Sequence, residues 1–342
     1  MFKLTNEEKN FHINFSPFYA VVAIMLLMFW ANKIQSQEIE EVVVIGAQVY
    51  ESESDPSVDI NVLETIMPAA TVSGGYGSFM GYNERGTQTV HTTIFRNGVP
   101  ANDAGSGWYD FGHDFATGNE KVKIVNGPNS VLYGSGSLGG TVFITDDLKD
   151  GSVIRAGSST FVSHTSNGIN LSYFDADNDS VRTDNDEKDS YNNISIKGQK
   201  EFGDWKVNVS GTTYEYDYDN CYTASFSQTN DCVQSGNKGT LSVRNDNYTF
   251  GYTFNDAEYE TQGVQTFKSD AERAYIDTRH QVGSTLLGAT VEYEKYSDFD
   301  QNQVSLYSLT SFDSFDVGFR LSEDAFVYRL GTEFNDWYAS LG

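Results

Sequence analysis

The sequence predicts a mainly β protein, in which a small α+β domain precedes the antiparallel strands of an incomplete transmembrane β-barrel. The composition favours β structure, with 21 Tyr, 23 Phe and 31 Gly but only 5 Pro, because aromatic residues suit half-buried pleated surfaces. After about residue 150, polar residues alternate with apolar or aromatic ones. An apolar run near the N-terminus has the layout of an export signal. Together these observations indicate an exported, strand-rich chain.

The alternating segments are separated by connections of unequal length. Residues 203–204 and 322–324 are short separators, whereas residues 175–190 and 217–239 are long and acidic. A period of two with alternately short and long connections is typical of an up-and-down barrel. A soluble all-β sandwich also alternates, and the export signal and the preceding domain favour the barrel. The segments are residues 168–174, 191–197, 205–216, 247–254, 284–296, 304–312 and 326–334.

The charge balance argues against one class of partner. The formal net charge is −26 and the sequence pI is about 4.3, and binding to nucleic acid needs clustered Lys and Arg. We therefore expect no nucleic-acid partner. The mean hydropathy of −0.43 is compatible with a barrel, whose lipid-facing apolar residues alternate with polar ones that face the lumen.

Residues 1–36 are predicted to be a signal peptide. The apolar run 18–30 (FYAVVAIMLLMFW) has 13 residues, fewer than the ~20 that span a bilayer comfortably. Lys3 and Lys9 precede it, and Ser36 or Ala31 could border the cleavage site. A signal anchor is the alternative.

Residues 84–140 carry a series of motifs. Residues 84–86 read ERG, residues 94–100 read IFRNGVP, and residues 122–140 read VKIVNGPNSVLYGSGSLGG. Asn97-Gly98 predicts a tight hairpin turn, because both central residues of a type I′ turn need positive φ. In this order the motifs resemble the plug domain of TonB-dependent outer-membrane receptors. The positions that carry the resemblance are Arg85, Gly86, Asn97, Gly98, Gly127, Pro128, Tyr133, Gly134, Gly139 and Gly140.

The resemblance implies a domain order and a location. After the signal peptide, residues 37–60 are expected to form a TonB-box-like segment and linker, residues 61–146 the plug, and residues 147–342 part of the barrel. A receptor of this family lies in the outer membrane of a Gram-negative bacterium, in contact with its lipid, after the signal peptide is cleaved.

The resemblance also implies a partner for the mature N-terminus. In the family, a TonB box adds as a strand to the C-terminal domain of TonB, which is energised by an inner-membrane complex; main-chain hydrogen bonds dominate such pairing. The alternative is a simple first plug strand. The predicted TonB contacts are Glu41, Val42, Val43, Val44 and Ile45.

One motif matches a nucleotide-binding pattern but lies in the wrong structural context. Residues 134–139 match the dinucleotide-binding fingerprint GxGxxG, which should open a helix. The strand-like residues 141–145 (TVFIT) follow at once, so we reject a nucleotide site.

Aromatic residues of the plug are candidates for contact with a ligand. They are Tyr76, Phe79, Tyr82, Trp108 and Tyr109, and packing inside the plug is the equal alternative. Asp175, Asp177 and Asp179 begin an acidic stretch that could bind Ca²⁺, a cation with six to eight oxygen ligands. The stretch lacks the complete EF-hand pattern, and a solvated loop is the alternative. No covalent cofactor is expected.

Cys221 and Cys232 are the two cysteines of the chain. They lie in a polar loop of a chain that is predicted to be exported, so we expect a disulfide. Two unpaired thiols are the alternative.

Two departures from the family pattern stand out. The segment before Arg85 is short, so a strand–helix unit could be missing, and Asn97 and Asn126 replace the usual Asp and basic residue. About 190 residues follow the plug, enough for about ten to twelve strands, whereas the family barrel has about 22. A half barrel would leave unsatisfied edges in lipid. We therefore expect a truncated sequence.

The expected function is energised uptake of a scarce ligand, most readily a ferric siderophore, with cobalamin as the alternative ligand. A secreted all-β adhesin or glycan-binding protein is the alternative of another class. The five His residues are scattered, and the sequence shows no convergent set of nucleophile, base or paired carboxylates. We therefore predict that the protein is not an enzyme.

Overall fold

The structure, a computed structural model, describes residues 49–53, 70–73, 81–84, 87–104, 106–111, 120–127, 129–134, 136–157, 159–179, 188–218, 221–222, 228–229, 232–261, 264–297, 299–323, 325–334 and 337–341. The predicted signal peptide and the predicted TonB contacts at 41–45 lie outside these residues. Among the described residues, no helix is long and apolar enough to cross a membrane.

An N-terminal domain is built on a five-stranded sheet with the order β1-β6-β7-β4-β5. The β4–β7 pair is parallel and the other pairs are antiparallel. Strands β2 and β3 form a separate antiparallel pair. In sequence they lie between β1 and β4. The elements are β1 Val49–Glu53, β2 Ala70–Ser73, β3 Gly81–Glu84, a 3-10 turn Thr89–His91, β4 Thr92–Arg96, β5 Val99–Pro100, β6 Glu120–Asn126, the one-turn helix α1 Ser130–Tyr133 and β7 Gly140–Asp146.

The core of this domain is apolar and aromatic. Branched side chains of β4, β6 and β7 meet the rings of β3 and of the loop that follows β5. Burial of each such side chain contributes about 1.5–3 kcal/mol, and Val122 and Ile124 of β6 are both buried in this core. The cluster comprises Tyr82, Ile94, Tyr109, Phe111, Val122, Ile124, Val142 and Ile144.

Strand β1 lies where the sequence analysis places a linker. It pairs antiparallel with β6, from Val49 opposite Val125 to Glu53 opposite Lys121. Because β6 would otherwise present a row of unpaired backbone groups, an adjacent β-prone segment pairs with it readily. The N-terminal sheet therefore begins within the predicted linker 37–60.

A large antiparallel sheet follows, with 13 strands between β22 at one edge and β8 at the other. Neighbours in sequence pair throughout, except that β12 pairs with β15 across the two-residue strands β13 Cys221–Tyr222 and β14 Gln228–Thr229. The strands are β8 Gly151–Ala156, β9 Ser159–Ser166, β10 Ile169–Asp179, β11 Lys188–Phe202, β12 Trp205–Tyr218, β15 Cys232–Arg244, β16 Tyr248–Thr261, β17 Val264–Val282, β18 Thr285–Tyr296, β19 Phe299–Ser311, β20 Phe315–Ser322, β21 Phe326–Phe334 and β22 Trp337–Leu341.

The faces of the large sheet are inverted relative to a soluble protein. On β11, Asn193, Ser195 and Lys197 are buried, while Ile194 and Ile196 are 49% and 55% exposed. The same inversion holds on β10 and continues as far as β21. A sandwich buries its apolar face between two sheets, whereas a membrane barrel turns that face to lipid. The large sheet therefore has the polarity of a transmembrane barrel.

The predicted strands are present, and several are longer than predicted. Residues 326–334 coincide with β21, but β10 continues to Asp179 and β15 begins at Cys232. The acidic separators 175–190 and 217–239 are therefore partly strand. The polar residues there pair through their backbone, which side-chain polarity does not reveal. The 13 strands also exceed the predicted ten to twelve.

Candidate ligand-binding site

The β4–β5 hairpin projects from the edge of the N-terminal sheet. Asn97 and Gly98 have φ of 50° and 85°, which confirms the turn predicted from Asn-Gly. The Asn97 amide donates to Asp146 Oδ2 at 2.7 Å and accepts from the Asp146 backbone N–H at 2.9 Å. The hairpin tip is thereby fixed to the end of β7.

Asn102 organises the loop that leaves the hairpin. Its Oδ1 accepts from Ile94 N at 2.7 Å, and its Nδ2 donates to Thr92 O and Gly107 O, both at 3.0 Å. Asp103 closes the next turn by accepting from Ser106 N at 2.8 Å. With three bonds to backbone groups, a single asparagine joins the loop after β5 to β4 and to Gly107.

A cavity of about 350 Å³ lies between this loop and the large sheet. Trp108 and Tyr109 line it from the loop, and Tyr214 and Lys238 line it from β12 and β15. The Lys238 ammonium lies 5.6 Å above the Tyr109 ring, a cation–π contact. A mixed lining of rings, amides and charges can fix the orientation of a small polar ligand.

Arg273 of β17 anchors the loop to the large sheet. Its Nη1 donates to Pro100 O at 3.2 Å and to Asn102 O at 2.7 Å. Glu292 of β18 lies 2.7 Å from Arg273 Nε, and Glu294 also pairs with the guanidinium. A buried cation needs such partners, so the two glutamates hold in place the arginine that lines the cavity.

A buried ionic cluster joins the N-terminal domain to β11. The Lys197 ammonium donates to Glu120 and lies 3.6 Å from Asp146 Oδ1, which also pairs with Arg96 at 3.1 Å. Burial raises the pKa of Glu120, but Lys197 lowers it, and the net pKa lies below the ordinary value. Gln199 adds a bond from Nε2 to Asp146 O at 2.7 Å. The cluster holds β6 and β7 against the large sheet.

The Gly-rich segment after β6 packs closely around α1. Gly127 and Gly134 have φ of 91° and 89°, where a side chain would be strained. A Cβ on Gly139 would lie 2.7 Å from Thr87 Oγ1 and 3.2 Å from His91 O, so a larger residue would force its neighbours to shift. Strand β7 follows directly, which agrees with rejecting the dinucleotide motif.

Comparison with known proteins agrees with this geometry. Residues 35–141 match the family model of the TonB-dependent Receptor Plug Domain. The N-terminal domain is therefore similar to a TonB-dependent receptor plug, and it is called the plug below.

Two curated relatives support the assignment. The vitamin B12 transporter BtuB of Photobacterium profundum is 28% identical over 229 residues, which cover 59% of this chain and 38% of that protein. The vitamin B12 transporter BtuB of Vibrio vulnificus is 33% identical over 87 residues, 25% of this chain and 14% of that protein. The chain thus spans well under two thirds of the length of these relatives.

Solved structures share the fold of the plug and the large sheet. The siderophore receptor PirA of Acinetobacter baumannii has a TM-score of 0.57 at 14% identity, covering 86% of this chain and 59% of that one. The ferric yersiniabactin uptake receptor FyuA of Yersinia pestis has a TM-score of 0.53 at 14% identity, covering 86% and 58%. The relatives and neighbours are transporters and receptors rather than enzymes.

The structure places only some of the predicted ligand contacts at the cavity. Trp108 is 49% exposed and Tyr109 is buried, and both line the cavity. Tyr82 is fully buried in the plug core and packs against Phe111, so packing explains it. Tyr76 and Phe79 lie outside the described residues.

The other predicted positions are only partly described. Arg85, Gly86 and Pro128 lie outside the described residues. Cys232 is bonded in a disulfide, and the side chain of Cys221 is outside the described set. The side chains of Asp177 and Asp179 are also outside it, and the described residues contain no group of three metal-binding side chains. Calcium binding stays a prediction.

Sequence reasoning missed the residues that join the plug to the large sheet. They are Asn102, Glu120, Asp146, Lys197 and Arg273. One signal was available: Lys197 and Arg273 are cations within alternating strands, and in a barrel such positions face the lumen. Their partners lie up to 173 residues away in sequence, which no local pattern reveals.

Proposed function

We propose that the chain belongs to a TonB-dependent receptor of the outer membrane that takes up a small ligand with energy supplied through TonB. One observation carries the proposal: a receptor plug packs on the polar face of a sheet whose opposite face is apolar. A ligand bound in the cavity would contact both the plug loop and the inner face. Binding could then be coupled to movement of the plug.

Cobalamin is the ligand that the comparisons favour. The two curated relatives are vitamin B12 transporters by name, and one of them aligns with 59% of this chain. The ferric siderophore predicted from the sequence is the second candidate, because neighbours of the same fold are named siderophore receptors. The two ligands can be separated by direct binding.

Binding of cyanocobalamin tests the proposal. Trp108 lines the cavity and is half exposed, so a ligand there should quench its fluorescence. We expect saturable quenching by cyanocobalamin in the purified protein, and its loss in Trp108→Phe. Saturable binding of a ferric siderophore with no response to cyanocobalamin would transfer the proposal to the second ligand. Binding of neither would count against a receptor for both.

The TonB contact is proposed for residues 41–45. A strand added to a sheet edge is held by its backbone, so deletion of these residues should abolish uptake and leave ligand binding unchanged. Alanine replacement of the side chains should have a smaller effect than deletion. Full uptake after deletion would remove this assignment.

A further inference from the structure

A second cavity lies on the same three strands as the ligand-binding cavity. It has a volume of about 230 Å³, and its lining includes Phe95, Gly98 and Tyr133 of the plug and Arg244, Thr249 and Arg279 of β15, β16 and β17. We name it the inner cavity, and the first one the outer cavity. The outer cavity is lined by the same strands, through residues such as Lys238, Thr253 and Arg273.

Only one inward-facing residue of β16 separates the two cavities. Side chains alternate along a strand, so Thr249, Gly251 and Thr253 share one face. Thr249 lines the inner cavity and Thr253 lines the outer one. Their Cα atoms are about 13 Å apart on an extended strand. Gly251 therefore marks the boundary.

Val99 of the plug fills the space above Gly251. A Cβ added to Gly251 would lie 2.9 Å from Val99 Cβ, closer than packed carbons approach. Val99 is fully buried, so its side chain closes the gap between the cavities. The glycine is required there because Val99 occupies the place of a side chain.

Strand β5, which carries Val99, is the most weakly held strand of the plug sheet. It lies at the sheet edge and has two residue pairs, both with β4. Pro100 has no N–H to donate. Arg273 donates to Pro100 O at the C-terminal end of β5 and to Asn102 O just beyond it. Ala101 N donates to Ile94 O of β4 at 2.8 Å. Moving β5 breaks these bonds and its pairing with β4, and it leaves β1, β6, β7 and β4 paired with one another.

The plug contact on β19, β20 and β21 is of a different kind. Val131 of α1 lies over Gly318, where an added Cβ would be 2.9 Å from Val131 Cγ1. Leu132 packs with Leu286 and Leu309 in an apolar cluster. Arg320 donates to Val131 O and Leu132 O at 3.4 and 3.3 Å. This contact is continuous and holds a helix rather than an edge strand.

We infer that the passage past the plug runs along β15, β16 and β17, and that Val99 seated on Gly251 is its gate. The inference rests on the proposed function. Ligand in the outer cavity touches Arg273 and loop 101–111, the groups that hold β5. Displacement of β5 joins the two cavities into one path that leaves the rest of the plug in place.

Ion conductance tests the gate without any ligand or TonB. The protein expressed from its own gene is reconstituted in planar bilayers, and potassium chloride conductance is recorded. We expect Val99→Gly to raise the conductance above the wild-type level and Val99→Ala to raise it less. Val131→Gly, the matched truncation over Gly318, should leave it at the wild-type level.

Heat-modifiable migration shows whether each variant is folded. If Val99→Gly does not fold, the conductance of Val99→Ala tests the inference. Equal conductance in the Val99 and Val131 variants, or no rise in either, would overturn the inference. The conductance experiment uses only potassium chloride, so a negative result counts against the gate alone. Failure to bind cyanocobalamin would instead count against the proposed function.

Discussion

Asn97 both adopts the backbone conformation of the hairpin turn and binds Asp146. It adopts a positive φ in the hairpin turn, which Asn tolerates better than most residues. Its amide also donates to one oxygen of Asp146 and accepts from the Asp146 backbone. The resemblance to the plug family leads one to expect Asp here, but a carboxylate could not donate to Asp146. The partner in space therefore explains the departure from the family pattern.

Asn97→Asp should destabilise the plug at neutral pH. The change removes a buried hydrogen bond, worth about 1–3 kcal/mol when its partner is left unsatisfied, and it places two carboxylates together. Like charges raise the pKa of such a pair, so the penalty is present above the raised pKa and disappears as pH falls below it. Denaturant titrations at neutral pH and at pH about 4 measure the difference from wild type.

Asn97→Gly is the matched control for this substitution. It keeps the positive φ and loses the amide without adding charge, so its difference from wild type should change less with pH than that of Asn97→Asp. A variant Asn97→Asp as stable as wild type at neutral pH would show that the Asp146 contact contributes little.

At the scale of elements, β11 and β6 are joined by the pair Lys197–Glu120. Lys197→Met should lower the free energy of unfolding by about 3–5 kcal/mol, because it leaves buried carboxylates without a cation. Glu120→Gln in the same chain should recover part of the loss. A double-mutant cycle in denaturant measures the coupling. Additive effects would mean that the two residues do not depend on each other.

The same pair makes the plug contact sensitive to acid. The folded-state pKa of Glu120 lies below its ordinary value of 4.5, so its contribution is full above that value and is lost as pH falls through the folded pKa. We expect wild type to lose more stability than Glu120→Gln below pH 4.5. Equal acid sensitivity of the two proteins would assign the effect to other carboxylates.

The connection between β12 and β15 carries the predicted disulfide. Cys232 begins β15 and is buried in a disulfide, and Cys221 is the other cysteine of the chain. We predict that a thiol reagent labels Cys221 and Cys232 only after reduction, because a disulfide has no nucleophilic thiolate. Mass spectrometry of labelled peptides measures this. Labelling of the unreduced native protein would leave the two-thiol alternative.

The elements differ in how far their sequence predicts them. The hairpin at Asn97-Gly98 and strand β21 follow from local chemistry, so both were predicted with their bounds. The ends of β10 and β15 were not, because their polar residues pair through the backbone alone. The position of the outer cavity also depends on the contact of Arg273 with Pro100 and Asn102, which are distant from it in sequence.

The structure of the whole molecule shows which face of the large sheet is buried, which the sequence does not. Alternation with a period of two predicts strands in both a barrel and a sandwich, because it does not say which face is buried. In the structure, the polar residues of β11 face the plug and the apolar ones are exposed. Exposed apolar side chains are unfavourable in water, so the apolar side fits an apolar phase better. The inversion therefore favours the outer membrane.

A charge on the apolar face tests this orientation. Ile196 is exposed on β11 at the level of the ionic cluster, and Asn192 is exposed on the same face, four residues towards the connection to β10. Ile196→Lys should lower the stability in lipid vesicles by about 2–4 kcal/mol if it lies near the bilayer midplane. Asn192→Lys, about 13 Å away along the strand, should cost far less.

Heat-modifiable migration during a denaturant titration measures the folded fraction of both variants. In a soluble sandwich the two exposed positions would tolerate Lys equally, because surface substitutions change stability by about 0.5 kcal/mol or less. Equal stability of the two variants would therefore place the outer face in water. A large loss confined to Ile196→Lys would place it in lipid, with the polar face and the plug on the side away from the lipid.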